Sequence, residues 1–150
     1  MLNEGDQAPQ IKLETDTGEL FDLANARGKK VVLFFYPKAS TPGCTVEACE
    51  FRDTYKKFQK KGIVVLGISK DTAKAQTTFK ENQHLPYPLL CDVDKKVADA
   101  YGVWKEKNMY GKKVMGVERS TFVIDEQGKI AKIFRKVKPE GHAEEVLASL

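Results

Sequence analysis

The chain has 150 residues, 41% of them apolar and 31% charged, which is the balance of an ordinary globular protein and room for one domain with a substantial core. Its formal net charge is +4, yet acidic residues interleave with the lysines and the basic pairs Lys29-Lys30, Lys56-Lys57 and Lys112-Lys113 are short, so a solvated surface is expected and not a nucleic-acid partner. No run approaches the roughly 20 apolar residues of a membrane span, and the opening Met-Leu-Asn-Glu-Gly-Asp lacks a signal-peptide pattern, so no membrane association and a cytoplasmic location are expected.

The first strong element is the run from Lys30 to Tyr36, continuously apolar after its first residue, as in a central strand buried on both faces. It stops at Pro37. A helix is expected to open within Thr41-Pro42-Gly43-Cys44, with Thr41 as N-cap and Pro42 in the first turn, where its missing N–H costs nothing. Ala48, Phe51, Tyr55 and Phe58 then recur at helical spacing as an inward stripe, and Gly62 ends the helix. Ile63 to Ile68 reads as the next buried strand, Asp71-Thr72 as the cap of a helix running to about Asn82, and Pro88 to Leu90 as a short strand. Asp94 to Tyr101 forms a short helix closed by Gly102. The polar stretch from Trp104 to Gly116 is expected to be a long loop, and Val117 to Ile124 a strand. Asp125 to Gly128 turns that strand into another over Lys129 to Phe134, and a last helix begins near Pro139 with Ala143, Val146, Leu147 and Leu150 on one face. Alternating strands and helices followed by a hairpin predict an α/β fold with a central mixed sheet flanked by helices.

Three cysteines, Cys44, Cys49 and Cys91, are too few and odd in number for a secreted disulfide scaffold; two close in sequence suggest redox or metal chemistry instead. The sharpest feature is Pro37-Lys38-Ala39-Ser40-Thr41-Pro42-Gly43-Cys44, which follows a buried strand and opens a helix. Functional sites in open α/β sheets gather at the carboxyl ends of strands. Free N–H groups and the positive dipole end in a first helical turn favour a thiolate at Cys44, against the plainer role of a packing cysteine. The Thr41 hydroxyl, three residues earlier, can cap the helix, face the sulfur, or do only the former. Pro37 and Pro42 stiffen the connecting loop.

This Pro-x-x-x-Thr-x-x-Cys pattern resembles the active-site signature of the peroxiredoxins. The longer run from Phe35 through Cys49, with Gly5 to Pro9, Val65 to Ser69, Tyr101 to Trp104 and the strand holding Arg119, resembles their bacterioferritin comigratory protein, or Q-type, branch. The resemblance implies a thioredoxin fold with an N-terminal extension, a Cys44 thiolate that attacks peroxide and becomes a sulfenic acid, and Pro37, Thr41 and Arg119 as catalytic residues. A charged residue in mid-strand beside apolar neighbours is otherwise read as a surface cross-strand charge. The resemblance also implies Cys49 as resolving cysteine, an atypical two-cysteine enzyme, peroxide substrates, and thioredoxin or a similar dithiol as reductant. An intramolecular pair favours a monomer.

Geometry constrains that pairing. Five residues along an ideal helix set the Cα atoms roughly 8.7 Å apart on diverging faces, whereas a disulfide wants about 4.4–6.8 Å. If Cys49 resolves Cys44, the first turns must unwind; otherwise Cys49 is a packing cysteine.

A thioredoxin-like disulfide reductase is the nearest rival, but it would carry a cysteine where Thr41 stands and a proline near Ser120-Thr121. A zinc module using Cys44, Cys49, Cys91 and His84 lacks the short Cys-x-x-Cys knuckle. Cys91 reads as a small buried residue. His84 and His142 show no nucleophile–base arrangement, Tyr101 and Trp104 read as packing residues, and Glu144-Glu145 as a solvated helix face. Nothing indicates a haem, flavin, nucleotide or other cofactor.

Overall fold

A computed structural model describes residues 2–150. The N-terminal segment forms a small antiparallel hairpin, β1 (Lys12–Glu14) with β2 (Leu20–Asp22), and a single 3-10 turn over Leu23–Ala26. Then follow β3 (Val31–Phe35), α1 (Pro42–Lys60), β4 (Val64–Ser69), α2 (Ala73–Gln83), β5 (Leu89–Cys91) and α3 (Lys96–Ala100). The chain ends with β6 (Trp104–Met109), β7 (Lys112–Val117), β8 (Ser120–Ile124), β9 (Ile130–Phe134) and α4 (His142–Ala148).

The central sheet has the order β5-β4-β3-β8-β9. β3 pairs in parallel with β4 and β4 with β5, while β8 runs antiparallel to both β3 and β9. The expected mixed sheet is therefore present, and its neighbours explain the unbroken apolar run. All five residues of β3 are buried. Val31, Leu33 and Phe35 face one core with Leu66, Ile68, Tyr101 and Phe122. Val32, Phe34 and Tyr36 face a second core with Ala48, Phe51, Phe58 and Tyr87. The α1 stripe meets this second face, where Phe51 stacks on Phe34 with ring centroids 4.5 Å apart. Burying a side chain of this size stabilises by about 1.5–3 kcal/mol. Gly67 is required here: a Cβ would sit 2.9 Å from Leu89 and 3.0 Å from Phe34.

Three expectations are corrected. Trp104 to Gly116 is not a loop but most of the hairpin β6–β7, turned at Tyr110 and Gly111, both with positive φ as a two-residue turn of this hand requires. Its strands expose charged side chains, so they carry no alternation for a sequence to display. The strand expected over Val117–Ile124 is interrupted: β7 ends at Val117, β8 begins at Ser120, and Glu118 and Arg119 form the junction. The last helix begins at His142, after a turn through Pro139 to Gly141.

Candidate active site

The β3–β8 ladder ends with Phe35 opposite Ser120. Arg119, one residue before Ser120, therefore lies beside the loop that leaves β3 and leads to Cys44. That loop is tied down by Asp71, whose carboxylate accepts from the Ala39 N–H at 2.7 Å and the Ser69 hydroxyl at 2.6 Å. Ser40 takes a left-handed φ of 65°, and Thr41 then turns the chain into α1 with extended backbone angles. Pro37 is half-buried in this loop and Pro42 is the first helical residue.

Thr41 holds the N-cap position as predicted, but its hydroxyl makes no capping bond. It donates instead to the Lys38 carbonyl at 2.7 Å, bracing the loop. The first helical bonds come from Thr45, whose N–H and hydroxyl both reach the Thr41 carbonyl. The N–H groups of Gly43 and Cys44 precede that bond and belong to the open end of the helix.

Cys44 lies in this first turn with only 1% of its surface exposed. Arg119 directs Nη2 to its sulfur at 3.4 Å and Nη1 to Glu47 Oε1 at 2.7 Å. The guanidinium bridges two residues one helical turn apart. Glu47 is fully buried, and its second carboxylate oxygen has no hydrogen-bond partner among the described residues. Burial pushes this carboxyl up to about 7, against the pull of Arg119. Arg119 is raised in turn: burial opposes its charge, but Glu47 and Cys44 outweigh that cost. The fit is tight, since a Cβ on Gly43 would stand 3.2 Å from Arg119 Nη2.

Glu47 went unrecognised in the sequence. Its position three residues after Cys44, on the inward face with Ala48 and Phe51, was the available signal: an acid on an apolar stripe needs a partner. His142, for which the sequence shows no nucleophile–base arrangement, has a structural role. It is buried at the start of α4, with Nε2 2.7 Å from the Thr121 hydroxyl and Nδ1 2.9 Å from Glu145. Burial lowers its pKa against the opposing pull of Glu145, and its ring packs edge-on to Phe51 and Phe134. It supports α1 from behind.

Cys49 lies farther along α1, partly exposed, and donates to Gln83 Oε1 at 3.4 Å. Burial raises its pKa, with partial relief from Arg52. Both cysteines are free thiols within one unbroken helix. Cys91 ends β5, buried and away from Arg119, and its thiol is pushed up to about 11 by burial and then by Asp16, Glu14 and Asp71. Among the described residues no group of three or more His, Cys, Asp or Glu side chains could hold a metal ion, and no helix is long and apolar enough to cross a membrane.

A buried cysteine at a helix start beneath a paired arginine suits attack on an electrophilic oxygen, and comparison with known proteins agrees. Residues 4–133 match the AhpC/TSA family. A putative peroxiredoxin, bcp, of Coxiella burnetii is 52% identical over 149 residues, covering 99% of both chains. Peroxiredoxin Bcp of Bacillus subtilis is 47% identical, covering 97% of this chain and 93% of its own. Among solved structures, the bacterioferritin comigratory protein of Xanthomonas campestris superposes with a TM-score of 0.89 at 42% identity, covering 93% of this chain and 88% of that one. A cysteine variant of PrxQ from Xylella fastidiosa gives a TM-score of 0.94 at 37% identity, covering 99% and 95%. The chain belongs to the AhpC/TSA family and, within its Bcp/PrxQ branch, to the peroxiredoxins, the thiol peroxidases of the thioredoxin fold.

Proposed function

We propose that Cys44 is the peroxidatic residue, Arg119 its electrostatic partner, and Cys49 the resolving thiol. The observation that carries this reading is the bridge from Arg119 to both Cys44 and Glu47. The Cys44 sulfur attacks one oxygen of a hydroperoxide, the O–O bond breaks, and the other oxygen leaves as alkoxide or hydroxide and takes a proton. Negative charge grows on that leaving oxygen, where Arg119 and the first-turn N–H groups stabilise it. Thr41 and Pro37 shape the loop that presents the peroxide. Glu47 acts by holding Arg119.

The Cys49 sulfur then attacks the sulfenic sulfur of Cys44, and the hydroxyl leaves as water. Because the cysteines begin on diverging faces of α1, the first turns unwind to let them meet. Two exchange steps with a thioredoxin-type dithiol restore both thiols and oxidise the reductant. Hydrogen peroxide and organic hydroperoxides are the proposed substrates; alkyl peroxide reduction is the activity described for the Xanthomonas relative. The enzyme acts as a single-domain monomer in the cytoplasm and uses no bound cofactor.

The test treats reduced protein with one equivalent of hydrogen peroxide, blocks free thiols, and maps the cysteines by mass spectrometry. A Cys44–Cys49 disulfide with Cys91 still alkylatable is the expected result. Slow, indiscriminate oxidation of all three thiols overturns the proposal.

A further inference from the structure

Three hydrogen bonds reach α1 from one short segment, Gln83 to Tyr87. The Gln83 side chain accepts from the Cys49 thiol at 3.4 Å, and its main-chain carbonyl accepts from Arg52 Nη1 at 2.7 Å. The Tyr87 hydroxyl donates to the Ala48 carbonyl at 2.6 Å. The segment is itself fixed. His84 takes a left-handed φ of 54°, and Leu85 and Tyr87 are rooted in the core against Ala48 and Phe51.

Two of these bonds cannot survive the closing of a Cys44–Cys49 disulfide. Ala48 lies between the two cysteines, so unwinding the turn that separates them displaces its carbonyl, and the Cys49 bond to Gln83 is lost when that sulfur gives up its proton and attacks. From Glu50 onward the helix has other anchors: Glu50 accepts from the Gly141 N–H at 2.7 Å, and Phe51 stacks on Phe34. The boundary between the part that moves and the part that stays therefore falls at the bonds from Gln83 and Tyr87.

We infer that Gln83 and Tyr87 are positioning residues for resolution, a brace on Ala48 and Cys49 that must release before the two sulfurs can meet. The brace rests on the reading of Cys49 as the resolving thiol. It decides a competition. While it holds, the Cys44 sulfenate can attack a second peroxide, gaining an oxygen to become a sulfinate and releasing water or an alcohol. Once it releases, Cys49 attacks the Cys44 sulfur, the S–O bond breaks, and water departs with the Cys49 proton. Release also frees the Cys49 thiol from the burial that keeps it protonated.

The test compares wild type, Tyr87→Phe and Gln83→Ala by rapid mixing with graded hydrogen peroxide, quenching, and mass spectrometry of Cys44 as disulfide or sulfinic acid. Tyr87→Phe keeps the ring that fills the core and loses only the hydroxyl. Loss of one such bond should speed disulfide formation by roughly three- to tenfold, with a smaller shift in the same direction for Gln83→Ala. The peroxide concentration that leaves half of Cys44 as sulfinic acid should rise by the same factor. The second-order rate of Cys44 with peroxide should stay within about twofold, a constancy that general loosening of the fold would not give. A wild-type disulfide whose rate ignores both substitutions, or slows with them, overturns the brace alone. No Cys44–Cys49 disulfide in the wild type overturns the resolving role of Cys49 and the brace with it.

Discussion

Cys44 and Cys91 are buried to nearly the same degree, 1% and 8% exposed, yet their surroundings carry opposite charge. Cys44 faces the Arg119 guanidinium at 3.4 Å. Cys91 instead feels the negative charge of Asp16, Glu14 and Asp71, which adds to burial in pushing its thiol up to about 11. Burial by itself disfavours the thiolate and so deactivates a cysteine. The same dry surroundings also strengthen a nearby charge, so on the proposed mechanism the sign of the neighbour separates the nucleophile Cys44 from the inert Cys91.

The sharpest way to break this contrast is to remove the cation. Arg119→Gln should lower the second-order rate with hydrogen peroxide by about a hundred- to a thousandfold, the scale of losing an oxyanion donor. Stopped-flow oxidation of the reduced protein measures it; a change under threefold would separate the arginine from the chemistry. The opposite limb is tested at Cys91, which at pH 7 should hold on the order of a hundredfold less thiolate than an ordinary cysteine. Iodoacetamide labelling followed by peptide mapping should find it slowest of the three, and labelling as fast as a free cysteine would contradict the account.

A smaller effect is expected from Glu47→Gln, which keeps the shape and removes the charge that holds Arg119. The rate should fall by about tenfold. The wild-type pH profile should contain a rise near pH 7, where Glu47 ionises, that the variant lacks. Stability should move the other way. Burial raises this carboxyl from 4.5 to about 7, so its stabilising contribution is whole below pH 4.5 and is lost as the pH climbs through 7. Urea melts should show Glu47→Gln gaining on the wild type between pH 5 and 8; a constant difference would place the titration elsewhere. Least of all, Gly43→Ala should slow oxidation a few-fold, because its methyl group meets Arg119 Nη2 at 3.2 Å.

Some of this was legible in the chain and some was not, for physical reasons. The apolar run through Val31–Phe35 announced a strand covered on both sides, and that is how β3 lies. The Pro42 opening placed Cys44 at a helix start before any partner was known. The Arg119–Glu47 pair was hidden because it spans 72 residues and depends on the β3–β8 register, which no local pattern encodes. The hairpin β6–β7 was hidden for the opposite reason: it buries little of either face, so its sequence is free to look like a loop. At Thr41 the cap position was visible but the direction of the hydroxyl was not, since the Lys38 carbonyl competes for it only once the loop has folded.

The cysteine and the arginine that touches it are separated by 75 residues and meet only because β8 inserts beside β3. On a ribosome, Cys44 is therefore made long before its cation, and the emerging half-chain carries a thiol without the group that would activate it. On the proposed mechanism, every excursion that peels β8 from the sheet parts Arg119 from Cys44 and switches that activation off again. Reactivity toward peroxide would then report on the completed sheet, and a damaged or half-made copy would be spared its own chemistry.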